Sequence, residues 1–130
     1  MRARRRRWTP TYVAKKKTDG PWLPNIQQHL TANENPLVYY SLYGHVFKLA
    51  QAVKEGAQSV KGTEVLFRRV EQFDIVLKKT ADDKYLNQVR DQQKDIPVCT
   101  LDDLRAADGV IFGSPTRYGN MTAQMKQLID

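Results

Sequence analysis

From Leu37 onward the apolar and polar positions of this chain fall into short repeating patterns, and before it they fall into none. Residues 37–40, Leu-Val-Tyr-Tyr, form a continuous apolar run of the kind a buried parallel strand requires. Val46, Leu49, Ala50, Val53, Ala57 and Val60 then recur at helical spacing with Lys48, Lys54 and Glu55 off the stripe, which predicts a helix that packs through one face. Gly62 is placed to end that helix, and residues 63–70 read as a second strand. Strand, helix and strand make one right-handed crossover unit. Residues 71–79 are compatible with a helix, and 81–95 read as a charged, Gln-containing connection with little to bury. Thr100 followed by Asp103 has the form of a capping box opening a short helix through Ala107, and residues 109–113 read as the third strand. Asn120 is the expected N-cap of a last helix carrying Met121, Met125, Leu128 and Ile129 on one face.

Composition sharpens the contrast at residue 37. The net charge of +7 over 130 residues invites a polyanion-binding reading until it is located. Residues 1–36 hold eight basic and two acidic side chains, and 37–130 hold thirteen and twelve. The excess is therefore +6 in the first segment and +1 in the body. A nearly neutral body behind a basic segment argues against a folded nucleic-acid surface. Arg4 to Arg7 and Lys15 to Lys17 repel one another, and Pro10, Pro21, Pro24 and Pro36 interrupt any helix, so 1–36 reads as a disordered basic extension and 37–130 as the folded domain. The extension has no uninterrupted apolar core for a secretory signal and no Ser for an organelle transit peptide, so targeting has weak support and the expected location is cytoplasmic. No apolar run reaches the span of a membrane, and the lone Cys99 cannot close an intrachain disulfide.

Two polar, glycine-bearing loops follow predicted strands one and three, at the strand ends where open α/β sheets bind phosphate-bearing cofactors. In the first, Ser41 offers a hydroxyl, Gly44 permits close backbone approach, and the N–H groups of Gly44, His45 and Val46 lie at the positive end of a helix. Tyr43 adds a flat apolar face. In the second, Pro115 fixes the exit from the strand, Thr116 offers a hydroxyl, and Arg117 with Tyr118 sets a cation beside an aromatic ring ahead of Gly119. That pair suits an isoalloxazine, with Tyr118 walling the ring and a cation favouring its anionic reduced form. In the doubly wound order 2-1-3-4-5 strands one and three are neighbours at the switch point, so both loops flank one crevice, and the cofactor they suggest is FMN. No metal-ligand cluster is expected, and no residue stands out as catalytic. Cys99 and Arg105 have the Cys-x5-Arg spacing of a tyrosine phosphatase, but Asp102 and Asp103 would occupy the phosphate's place, so Cys99 is expected to be a small buried residue.

The stretches Tyr39-Tyr-Ser-Leu-Tyr-Gly-His45 and Asp108-Gly-Val-Ile-Phe-Gly-Ser-Pro-Thr-Arg-Tyr-Gly-Asn-Met121, with Gln124-Met-Lys-Gln-Leu-Ile-Asp130 after them, resemble the tryptophan-repressor-binding-protein (WrbA) family of NAD(P)H:quinone oxidoreductases. The resemblance runs from Leu37 to Asp130. It implies a flavodoxin-like doubly wound parallel sheet, FMN as cofactor, NAD(P)H as electron donor, a quinone substrate and a homotetramer. By position, Ser41, Leu42, Tyr43, Gly44, His45 and Val46 match the phosphate loop, and Thr116, Arg117 and Tyr118 match the flavin-ring loop. Tyr43 also matches the position that meets the nicotinamide. Two departures stand against it. Asn33-Glu-Asn-Pro36 replaces an apolar strand start, and the resemblance implies further strands beyond Asp130. The expectation is thus an amino-terminal half, truncated after strand three, with impaired or no turnover. The alternative is a non-catalytic flavodoxin-like binding module.

Overall fold

The apolar run at 37–40 lies at the centre of a parallel sheet. The computed structural model describes residues 33–130, with elements in the order β1 (Asn33–Tyr39), α1 (His45–Gln58), β2 (Thr63–Arg69), α2 (Asp74–Lys79), α3 (Lys84–Gln93), α4 (Leu101–Ala106), β3 (Ile111–Gly113) and α5 (Ala123–Ile129). The strands pair in the order β2-β1-β3, all parallel, which is the expected α/β, flavodoxin-like arrangement. Side chains alternate across β1. Leu37 and Tyr39 pack with Val65, Phe47 and Ala50 beneath α1, whereas Val38 and Tyr40 pack with Val70, Cys99 and Met125 on the α5 face. The Tyr39 ring stacks on Phe67 and Phe47 at centroid distances of 5.0 and 5.7 Å, tying β1, β2 and α1 together.

The first strand starts at Asn33, inside the segment assigned to the extension, and it includes a buried Pro36. The geometry shows how a proline is tolerated there. Tyr40 N–H donates to Gly113 on the β3 side, and Tyr39 carbonyl accepts from Val70 on the β2 side. With a period of two, the main-chain groups of Pro36 face β3, where pairing begins only at Leu37. The missing N–H therefore removes no ladder bond. The disorder and targeting expectations for residues 1–32 lie outside the described residues.

Other expectations are corrected. Helix α1 buries Phe47 and Ala50, while Leu49 and Val53 of the expected stripe are exposed, and so is Val60, which lies beyond the helix end. The helix carries apolar residues on two adjacent faces, and the one bearing Phe47 meets the sheet because it completes the aromatic stack. The connection 81–95 is mostly helix α3, which buries Leu86, Val89 and Gln93 behind an Asp83 cap. Strand β3 starts at Ile111 rather than residue 109. Helix α5 is capped by Thr122, whose hydroxyl accepts from Met125 N–H, and the Asn120 side chain instead accepts from Met121 N–H. Met121 and Ile129 are exposed.

The capping box is present as expected: Thr100 Oγ1 accepts from Asp103 N–H and Asp103 accepts from Thr100 N–H. The same carboxylate accepts from Arg68 Nε and Nη2 at 3.1 and 3.2 Å, fixing α4 to β2 just ahead of β3. No helix among the described residues is long and apolar enough to cross a membrane.

Candidate functional site

Both candidate loops leave neighbouring strands at the same end of the sheet. Tyr40 N–H bonds to Gly113 carbonyl at 2.9 Å, so Ser41 and Ser114, the first residues of the two loops, depart side by side. The first loop turns at Gly44, the N-cap of α1, with φ +84°. A left-handed residue is needed there to swing the chain into the helix, and a Cβ on Gly44 would lie 3.4 Å from Val89. The glycine therefore serves the turn itself, a more specific role than the close approach expected from sequence.

The start of α1 is built differently from the capped helices. Thr100 and Thr122 cap α4 and α5 and Asp83 caps α3, but no side chain caps α1 and its first turn holds no acid. The first intrahelical bond is Lys48 N–H to Gly44 carbonyl. The N–H groups of His45, Val46 and Phe47 are thus left without a helical or side-chain acceptor at the positive end of a helix. An anion satisfies such groups.

Helix α3, which sequence reading missed, buttresses this loop at three points. Tyr85 hydroxyl donates to Tyr43 carbonyl at 2.9 Å, Val89 backs Gly44, and Gln93 Nε2 donates to Ser41 carbonyl at 3.3 Å. The signal was present: Leu86, Val89 and Gln93 recur at helical spacing after an Asp N-cap. Ser41 and Leu42 are half-buried, Leu42 packs against the α5-side core, Val46 in the first turn of α1 packs against the Leu37 and Tyr39 side of the core, and Tyr43 and His45 are exposed.

The second loop is a tight hairpin. Arg117 N–H donates to Asn120 carbonyl at 2.7 Å and Asn120 N–H returns to Arg117 carbonyl at 2.9 Å. The two central residues, Tyr118 at φ +50° and Gly119 at φ +75°, have the signs of a type I′ turn. Tyr118 therefore holds a conformation unfavourable for an aromatic residue while its ring projects wholly into solvent. Thr116 and Arg117 are exposed as well. At the base of the loop, Ser114 Oγ accepts from Thr122 N–H at 3.1 Å, closing the ends of the segment.

Sequence reading also missed a part-buried amide chain beside the loops. Gln72 Nε2 donates to Tyr40 hydroxyl at 2.6 Å and Gln124 Nε2 donates to Gln72 Oε1 at 2.7 Å. Burial pushes the Tyr40 phenol pKa up, opposed by the Gln72 bond and by the charge of Arg117. A cavity of about 310 Å³ opens on the β2 side of the first loop, lined by Tyr40, Ser41, Leu42, Arg69, Arg90 and Gln93 among others. None of Thr116, Arg117 and Tyr118 borders it, so it is not the space between the loops. Cys99 is buried, with its thiol pKa raised by that burial, and Arg105 is paired with Asp102 at the surface, so the two form no phosphatase loop. No cluster of His, Cys, Asp and Glu among the described residues could hold a metal.

The residues present fit a flavin phosphate: an uncapped, acid-free helix start behind a glycine turn, facing a second loop that offers a cation and an exposed ring. A family model described as NADPH-dependent FMN reductase matches residues 43–130. The chain is similar to proteins described as NAD(P)H dehydrogenase (quinone), at 46% identity over 97 residues in Syntrophobacter fumaroxidans and in Geotalea daltonii. The corresponding protein of Geotalea uraniireducens is 48% identical over 99 residues. Each match covers 72% of this chain and 45% of the relative, so the chain spans about half the length of the curated relatives it matches.

Proposed function

Because this chain belongs to the NADPH-dependent FMN reductase family, we propose that it binds FMN between the loops at 41–46 and 116–118 and serves in NAD(P)H-dependent reduction of a quinone. The observation that carries the reading is the start of α1, where N–H groups without acceptors and without a neighbouring acid meet at the end of β1. In this assignment the phosphate takes the N–H groups of His45 and Val46 and the hydroxyl of Ser41, with Gly44 making the turn and Leu42 anchoring the loop to the core. Thr116 and the main chain beside it bond the polar edge of the ring, and Arg117 supplies positive charge where the reduced ring gains negative charge. Tyr118 walls one ring face, and the strain in its backbone fits a residue kept for contact rather than for the turn. Tyr43, exposed beside the loop, meets the nicotinamide donor. FMN, when bound, supplies two-electron hydride chemistry between donor and quinone; this chain's part is to hold, orient and charge-balance it.

We further infer a homo-oligomer, from the resemblance to the WrbA family, and a cytoplasmic location, from the single cysteine, which suits a reducing compartment. The direct test is quinone reduction by the chain with added FMN, with NADPH or NADH as donor. Turnover that requires FMN and shows ping-pong kinetics supports the reading; turnover unaffected by removal of FMN contradicts it. A second reading, a non-catalytic partner-binding module, is favoured by one feature: Ile111 and Phe112 of β3 are 41% and 46% exposed on a sheet edge that no strand among the described residues pairs. A protein that binds no flavin yet gains solubility with a partner would favour it.

A further inference from the structure

Gln72 lies between β2 and α2, and its side chain has one chemically fixed orientation. Its Oε1 accepts from the backbone N–H of Phe73 at 2.9 Å and from Gln124 Nε2 at 2.7 Å. A backbone N–H can only donate, so the oxygen end is assigned and the nitrogen end must face Tyr40, 2.6 Å from its hydroxyl. An amide NH2 offers no lone pair. The Tyr40 oxygen is therefore the acceptor in that bond, and its own hydrogen must be directed elsewhere. Tyr40 makes no second side-chain hydrogen bond among the described residues, and the residue, 5% exposed, borders the cavity on the β2 side. The phenolic hydrogen therefore has no protein acceptor and is open to a ligand or a water at the cavity wall.

Its position says which. Tyr40 adjoins Ser41 in sequence and Gly113 through its N–H bond, and it thus stands at the root of both loops. Arg117 and Tyr43, one from each loop, are electrostatic neighbours of its phenol. A ligand whose phosphate sits on the first loop and whose ring sits on the second must run its linker between them. In FMN that linker is the ribityl chain, whose hydroxyl oxygens are acceptors. Resting on the FMN reading above, we propose that Tyr40 donates its phenolic hydrogen to the ribityl chain of the bound flavin, and that Gln72 keeps the hydrogen free for it.

The test is binding of FMN, riboflavin and lumiflavin, followed by flavin fluorescence, to the full chain and to three variants, with thermal melting recorded for each. Tyr40→Phe should weaken FMN and riboflavin by the same factor, about three- to tenfold, and leave lumiflavin, which has no ribityl chain, unchanged. Gln72→Glu keeps the bonds to Phe73 and Gln124 but offers Tyr40 a carboxylate that takes its hydrogen. It should show the same loss with the hydroxyl still present, and Tyr40→Phe/Gln72→Glu should be no weaker than either single variant. The proposal is overturned by unchanged FMN affinity in Tyr40→Phe, by an equal loss for lumiflavin, or by wild-type affinity in Gln72→Glu. Absence of FMN binding to the unaltered chain overturns the FMN reading together with this one, whereas normal binding insensitive to Tyr40→Phe overturns this one alone.

Discussion

Substituting alanine for two glycines of this chain should move its stability in opposite directions. Gly44 sits at φ +84°, and an added Cβ would meet only the Val89 methyls at 3.4 and 3.5 Å, an ordinary contact. The cost of Gly44→Ala is therefore the left-handed backbone alone, about 1–2 kcal/mol. For a domain of this size each kcal/mol moves the melting midpoint by about 4–8 °C, so Tm should fall by about 5–15 °C. Gly56 lies inside α1 with nothing within 4 Å of an added Cβ. Gly56→Ala should stabilise by about 0.5–1 kcal/mol, since the helix keeps its geometry and the unfolded chain loses freedom. Thermal unfolding by circular dichroism measures both. If the turn relaxes in Gly44→Ala, the open N–H groups of α1 move with it, and FMN affinity should fall while Gly56→Ala leaves it unchanged. A Gly44→Ala protein that melts and binds FMN like the parent would refute the turn argument and the loop assignment built on it.

Three further outcomes are expected. Asp103→Asn weakens both the capping box and the pair with Arg68, and should cost about 1–3 kcal/mol at neutral pH by denaturant titration. Arg68 holds the Asp103 carboxyl below its usual value, so this contribution is complete above the ordinary carboxylate range and is lost as pH falls through the lowered folded value; the gap between parent and variant should close in acid. Tyr118→Gly relieves a positive φ in the hairpin and should raise Tm slightly while lowering flavin affinity, a combination that a purely structural Tyr118 would not produce. Leu49→Gln with Ile111→Lys, on exposed apolar positions of α1 and β3, should suppress concentration-dependent association in sedimentation, and unchanged association would place the contact elsewhere.

What the sequence made legible was local and periodic. The run at 37–40 and the capping box at Thr100 and Asp103 each follow from a short pattern with one physical meaning, whereas Gly62, expected to end α1, instead turns the chain into β2 after the helix has stopped at Gln58. Where two readings shared a pattern, packing decided. Helix α1 has apolar residues on two adjacent faces, and only the stack of Tyr39 on Phe47 and Phe67 selects between them. Pro36 argued against a strand until the register placed its missing N–H on the side that β3 does not reach. Helix α3 hid behind its charged residues, although Asp83, Leu86, Val89 and Gln93 carried its cap and buried face. The candidate loops were found because glycine, serine and arginine after a strand are rare and informative. Their supports were not, because Tyr85, Gln72 and Gln124 act through long-range hydrogen bonds that have no sequence period.

The central claim is that the open N–H groups at the start of α1 hold a phosphate belonging to a flavin. Calorimetric titration of the chain with FMN and with riboflavin, under identical conditions, tests it most directly, because the two ligands differ only in that phosphate. The account predicts measurable binding of both with FMN the tighter, and a preference that disappears in Gly44→Val. Equal affinity for FMN and riboflavin, or no binding of FMN, would contradict it.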